Sequence, residues 1–127
     1  MTLECSVVVV NFNSGADLCT CLASIGKVFK NRDWEAVVVD NASSDDSLDL
    51  LRPNPMVRIQ RNSSNVGFAA AVNQALSLIS SRNVLLINPD CEVRQGAVAR
   101  LEQELMEHPE CALVGPCVID PDGTVQG

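Results

Sequence analysis

The sequence has no cluster of lysine and arginine residues. Nine basic side chains stand against sixteen acidic ones in 127 residues, so the net charge is −7. Proteins that bind DNA or RNA need a basic stripe that neutralises phosphates. We therefore expect no nucleic-acid partner.

Long hydrophobic runs are also missing near the N-terminus. The apolar stretch at residues 7–10 is far shorter than a signal peptide or a membrane span, and residues 1–4 carry no basic leader. This pattern predicts a cytoplasmic protein, with peripheral docking at the inner face of the membrane left open.

Metal-binding cysteine pairs are absent as well. The six cysteines include no CxxC pair, which is the spacing that zinc sites use. Cys5, Cys111 and Cys117 lie in or beside apolar runs, where a free thiol behaves as a small hydrophobic side chain. We interpret the cysteines as structural.

Neither of two common phosphate-binding loops is present. A Rossmann site needs GxGxxG after the first strand, but residues 11–17 contain only Gly15, and there is no GxxxxGK followed by Ser or Thr. A bound diphosphate would therefore need another neutralising group. A hard divalent cation, held by a carboxylate and by phosphate oxygens, is the usual solution.

Short apolar runs alternate with segments of helical periodicity. The runs predict strands over residues 6–10, 36–39, 56–59, 84–87 and 112–115. The periodic segments predict helices over residues 18–29, 68–79 and 98–105, with a shorter one at 43–51. Such alternation predicts right-handed βαβ units. We expect one domain over residues 1–127, a three-layer α/β/α sandwich with a mostly parallel sheet that ends part-way through the fold.

Polar residues follow each of the first four runs. The segments are Asn11-Phe12-Asn13, Asp40-Asn41, Arg61-Asn62 and Asn88-Pro89-Asp90, which together carry amides, carboxylates and one guanidinium. Each of them alone is explained as an ordinary strand-end or turn residue. Ligands of open parallel sheets bind beyond the carboxyl ends of the strands. Together these residues predict a polar ligand site along one edge.

Four segments carry a resemblance to a known family. They are VVVVNFN at 7–13, VVVDNASSD at 37–45, NVGFAAAVN at 65–73 and LLINPD at 85–90. In this order and spacing the sequence resembles the family 2 glycosyltransferases, especially rhamnosyltransferase-like members. The resemblance covers almost the whole chain. It implies a GT-A fold and a role in cell wall or polysaccharide biosynthesis.

The resemblance also implies roles for the residues of the nucleotide side. Phe12 would stack on a uracil or thymine ring, and Asp40 would accept a hydrogen bond from the base imide. The other implied donor-binding residues are Asn11, Asn13, Asn41, Asn65, Gly67, Asn73 and Asn88. Two residues keep an alternative interpretation. Asn73 is equally explained as a plain helix-face amide. Asp45 either supports this region or caps a helix.

Residues Asn88-Pro89-Asp90 stand at the place of the family's DxD motif. Asp90 would bind Mg²⁺ or Mn²⁺ against the diphosphate, and Asn88 replaces the first acid, which lowers the charge at the metal. The metal would stabilise the leaving diphosphate.

The leading hypothesis is an inverting hexosyltransferase. Its donor would be a UDP- or dTDP-sugar, with dTDP-rhamnose favoured, and its acceptor a saccharide or a lipid-linked saccharide. The family's catalytic base comes from sequence beyond this chain, so we expect the chain alone to bind donor without transferring sugar. His108 is interpreted as a surface residue at a helix end.

Two alternatives were weighed against an enzyme domain. A receiver-like signalling module needs clustered acids after its first strand and a lysine after its last, where this sequence has Asn11 and Gly115. A catalytically incomplete fragment with an open sheet edge would self-associate, which predicts a homodimer.

Overall fold

The computed structural model describes residues 4–127, which form two compact units. The first unit ends at Arg94 and holds the sheet with two helices. The second unit, Gln95–Gly127, holds one helix and irregular chain. Among the described residues, no helix is both long enough and apolar enough to cross a membrane.

The first unit is built on a four-stranded sheet with the order β3-β2-β1-β4. The strands are β1 (Cys5–Asn11), β2 (Trp34–Asp40), β3 (Val57–Arg61) and β4 (Asn83–Leu86). Every pairing between them is parallel. The first four predicted strands are therefore confirmed, with small shifts in their ends.

Two helices connect these strands, α1 (Asp17–Val28) and α2 (Phe68–Leu76). The chain moves one way along the sheet from β1 to β2 and back the other way from β3 to β4. Right-handed crossovers therefore place α1 and α2 on opposite faces. This arrangement is the predicted α/β/α sandwich.

Alternation along the strands divides the core between the two faces. Val8 and the paired Val37 pack with Ala71 and Ala75 of α2, and all four are completely buried. Small alanines allow the helix to approach the sheet closely. The opposite face is equally buried, because Val7 and Val9 are also 0% exposed.

Two predicted elements are wrong. Residues 112–115 form no strand, because four apolar residues need a partner ladder and Leu113 is instead 90% exposed. Residues 43–51 form only a turn, in which the amide of Leu50 donates to the carbonyl of Asp46 at 3.1 Å. The run is too short for a stable helix before Pro53.

The second unit contains α3 (Ala97–Glu107), close to the predicted helix. Residues 120–123 form a tight turn, closed by a 2.8 Å hydrogen bond from the Gly123 amide to the Asp120 carbonyl. Gly123 has φ +90°, a conformation that favours glycine. One antiparallel bridge joins Ile119 and Val125 on either side of this turn.

Candidate functional site

The carboxyl ends of the strands bring the predicted polar residues to one edge. Asn11 and Asp40 are paired in register at the ends of β1 and β2, and Arg61 is paired with Asp40 at the end of β3. Asp90 follows β4, which lies on the other side of β1. Asp40 and Asp90 thus belong to the same edge of the sheet.

Asp40 is a carboxylate that is only 4% exposed. Its Oδ1 accepts hydrogen bonds from Asn11 Nδ2 at 2.8 Å and Ser43 Oγ at 2.6 Å, and its Oδ2 accepts one from the Ser43 amide at 3.2 Å. A carboxylate has about four lone-pair positions. Oδ2 therefore keeps the capacity to accept one more hydrogen bond.

Asn13 joins the loop after β1 to the loop after β2. Its Oδ1 accepts from the amides of Ser44 at 2.8 Å and Asp45 at 3.3 Å. The N-cap of α1 is Ala16, and no cap bond forms from a described side chain, so Asn13 is left to join the two loops. Asn13 has φ +50°, which asparagine tolerates well.

Asp45 supplies a second link between the same two loops. Its Oδ2 accepts from the Gly15 amide at 2.8 Å, and its Oδ1 accepts from Ser47 Oγ at 2.6 Å. The hydrogen bond from Ser47 is the main reason that the pKa of Asp45 lies below its usual value. Of the two readings left open for Asp45, the structure shows the supporting one.

Asn41 belongs to a separate amide network beside α2. It is 2% exposed, donates to the Gly67 carbonyl at 3.2 Å and accepts from Asn62 Nδ2 at 3.0 Å. Asn62 also donates to Gln74 Oε1 at 2.8 Å. This network ties the ends of β2 and β3 to α2 and holds the carbonyl of Gly67.

The remaining predicted donor residues are accessible. Phe12 is 51% exposed, and Asn73 is an exposed amide on α2. Asn65 Oδ1 accepts from the Gly67 amide at 2.9 Å, and Gly67 has φ +86°, so a glycine suits this position. Asn88 is exposed after β4.

A small cavity of about 40 Å³ lies beside Asp90. It is lined by Asp17, Thr20, Pro89, Asp90, Cys91 and Glu92. Across residues 4–127, no three His, Cys, Asp or Glu side chains converge as a metal cage. A cation that takes one protein carboxylate and draws its other ligands from phosphate and water needs no such cage, and Asp17, Asp90 and Glu92 offer carboxylates at this cavity.

Two thiols near this cavity, those of Cys21 and Cys91, have raised pKa values. Burial, with Cys91, Asp90 and Glu92 nearby, raises the pKa of Cys21 to about 12, so its thiol stays protonated. Burial also raises the pKa of Cys91, and Asp90 adds to the effect. None of the six cysteines, all of which lie within the described residues 4–127, is part of a disulfide.

Ser43, Ser47 and Gln74 are site residues that the sequence did not predict. Each acts through a partner from another loop or strand. The serines that follow Asp40 carried a weak signal, because serine in a turn commonly bonds a nearby backbone or carboxylate.

The parallel sheet with helices on both faces has the GT-A fold of nucleotide-diphospho-sugar transferases. Two crystal structures of S. aureus TarS, one of residues 1–349, match with a TM-score of 0.72. Their sequence identities are 24% and 25%, the match covers 84% of this chain, and it covers 33% and 20% of those chains.

The chain belongs to the family 2 glycosyltransferases, because the family model "Glycosyl transferase family 2" matches residues 6–126. The receiver-like alternative is therefore discarded. Two curated relatives, from two Mycobacterium tuberculosis strains, are N-acetylglucosaminyl-diphospho-decaprenol L-rhamnosyltransferases. Each is 27% identical over 137 residues, an alignment that covers 98% of this chain. The chain spans 44% of their length.

Proposed function

We propose that this chain is the donor-binding part of an inverting hexosyltransferase. The donor is a UDP- or dTDP-sugar, with dTDP-rhamnose favoured, and the acceptor is a saccharide or a lipid-linked saccharide. The rhamnosyltransferase relatives support this donor and acceptor class. We place the reaction in the cytoplasm, at the inner face of the membrane where a lipid-linked acceptor is reached.

One observation carries the nucleoside assignment. The protein holds the Asp40 carboxylate at the strand edge with three hydrogen bonds and leaves one acceptor position on Oδ2. The imide N–H of uracil or thymine is a donor that fits such an acceptor. Phe12 follows Asn11 at the end of β1 and is half exposed, so its ring offers a flat face for stacking on the base.

Asp90 is the residue that we assign to Mg²⁺ or Mn²⁺. The bound metal would act as a Lewis acid on the diphosphate leaving group. The chain itself would contribute the Asp90 carboxylate and the neighbouring Asn88 amide, which can hydrogen-bond a ribose hydroxyl. Asn65, Gly67 and Asn73 line the sugar-diphosphate side in this proposal.

The described residues offer no carboxylate that we assign as the catalytic base. Asp120 and Asp122 belong to a tight turn, in which Asp122 Oδ1 accepts from the Thr124 amide at 2.9 Å. We therefore expect this chain alone to bind donor without transferring sugar.

A thermal-shift panel tests the proposed function. UDP and dTDP, each with and without Mn²⁺, should raise the melting temperature of the 127-residue chain, because they bind only the native state. ADP and CDP serve as controls, since adenine and cytosine lack an imide N–H. Equal shifts for all four diphosphates would reject the pyrimidine assignment.

The fragment alternative has one observation in its favour. β4 is at the edge of the sheet, and its Val84 and Leu86 are 43% and 46% exposed. An apolar edge strand is a template for self-association. Light scattering should then find a homodimer, and a monomer at all concentrations would reject it.

A further inference from the structure

Asn11 stands at the ligand edge but has no exposed surface. Its Nδ2 donates to Asp40 Oδ1 at 2.8 Å and Ser47 Oγ at 2.9 Å, with a longer contact of 3.2 Å to Ser43 Oγ. Its Oδ1 accepts a hydrogen bond from Ser14 Oγ. Because protein groups engage both polar atoms of the side chain, a bound nucleotide has no access to Asn11.

The surrounding hydroxyls determine which group must stand at position 11. Ser43 gives its one hydroxyl proton to Asp40 Oδ1, and Ser47 gives its proton to Asp45 Oδ1, both at 2.6 Å. Both serine oxygens are therefore acceptors toward Asn11. Position 11 must supply two donors, one for Asp40 and one for a serine. An amide does so, whereas an ionised carboxylate or a hydroxyl does not.

We propose that Asn11 is a positioning residue, which fixes the Asp40 carboxylate for nucleoside recognition and does not touch the nucleotide. Together with Ser43 it occupies Oδ1, so that Oδ2 is the oxygen directed to the base imide. The same amide anchors Ser47 and, through it, the loop after β2. This role rests on the proposed function, in which Asp40 binds the base.

The variant Asn11→Asp tests the role because it keeps the shape and removes the amide donors. At acid pH the two adjacent carboxyls share a proton, which donates to Asp40 as the amide did; at alkaline pH both ionise and repel each other. The other charged groups nearby are Asp45, linked through Ser47, and Arg61, paired with Asp40 in the sheet. The hydrogen bond from Ser47 holds the pKa of Asp45 below its usual value, so Asp45 stays anionic across this range.

Calorimetry with UDP and dTDP on the 127-residue chain, between about pH 5.5 and pH 8.5, gives the readout. We expect Asn31→Asp, a matched amide-to-acid change at an exposed turn residue, to bind with the affinity of the wild type at every pH. The titration of the nucleotide's own terminal phosphate then cancels in the comparison of each variant with the wild type. Asn11→Asp should bind almost as the wild type at the acid end and about tenfold more weakly at the alkaline end. Circular dichroism at each pH shows whether the chain is folded, and only binding constants measured on folded protein are compared.

Two outcomes separate this role from the proposed function. A folded Asn11→Asp chain whose affinity relative to the wild type is the same at both ends of the pH range would overturn the positioning role. A wild-type chain that binds neither nucleotide would instead overturn the proposed function.

The variant Ser47→Ala covers the case in which Asn11→Asp does not fold. It removes one acceptor that orients the Asn11 amide and introduces no charge. We expect nucleotide affinity to fall by about three- to tenfold at neutral pH. Unchanged affinity of the folded variant would contradict the positioning role.

Discussion

Asp40 is a charged side chain that the protein keeps almost out of water. Burying a carboxylate is costly unless its oxygens accept hydrogen bonds. Here one amide, one hydroxyl and one backbone N–H supply them. Since the side chains and the loop are already ordered, a base that binds Oδ2 meets a pre-positioned acceptor.

The variant Asp40→Asn should weaken UDP and dTDP binding by about ten- to a hundredfold, because a hydrogen bond to a charged acceptor is replaced by a neutral one. Asp46→Asn is the control, since Asp46 is an exposed carboxylate of the same loop. Calorimetric titration at neutral pH measures both. Equal losses in the two variants would show a general charge effect.

The variant Asp90→Ala should abolish the Mn²⁺-dependent part of nucleotide binding and keep the metal-independent part. The reason is that Asp90 supplies the one protein carboxylate that we assign to the cation. Titrations with and without Mn²⁺ separate the two parts, and Asp49→Ala serves as an exposed control. If Mn²⁺ increased the nucleotide affinity of Asp90→Ala as much as that of the wild type, the assignment of the metal to Asp90 would be contradicted.

At the scale of elements, the loops after β1 and β2 act as one body. Asn13 bonds two amides of the second loop, and Asp45 bonds an amide of the first. These reciprocal links hold the loops on which Phe12 and Asp40 depend. A substitution that breaks these hydrogen bonds in one loop should therefore also affect the conformation of the other loop.

The pH dependence of Asp45→Asn follows from these links. The pKa of Asp45 is lowered in the folded state, chiefly by Ser47. Its ionised form therefore adds stability above the unfolded pKa, and this stability is lost as the pH falls through the folded pKa. Urea unfolding should show Asp45→Asn to be less stable than the wild type at neutral pH, with the difference vanishing in acid. A constant difference would contradict the link.

The contact between α2 and the sheet depends on small side chains. Ala71 is completely buried in the cluster with Val8 and Val37, so Ala71→Leu should overpack it and destabilise the fold by about 1–3 kcal/mol. Ala70→Leu, one residue earlier and exposed, is the matched control. Urea denaturation compares them, and equal stabilities would contradict this packing.

At the scale of the whole molecule, local patterns predicted the parallel sheet well. The β-branched runs of β1 and β2 are buried on both faces, and such strands read as unbroken apolar sequence. The same reasoning failed for residues 112–115, because an apolar run alone does not specify a partner strand. Polar strand ends likewise predicted the location of Asp40.

What the sequence could not predict is the pairing of side chains across loops. Ser47 and Asn11 are distant in sequence and meet only in the folded chain. The buried state of Asn11 follows from that meeting. Asp90, by contrast, is exposed and remains a predicted ligand.

The central claim, that Asp40 accepts a hydrogen bond from a pyrimidine imide, is tested most directly by titrating the wild-type chain with UDP and with N3-methyl-UDP. Methylation at N3 replaces the imide proton with a methyl group and leaves the rest of the nucleotide unchanged. We predict an affinity loss of about tenfold or more for the wild type, and a much smaller loss for Asp40→Asn, whose hydrogen bond is already weakened. Equal affinities of the wild type for the two nucleotides would contradict the claim.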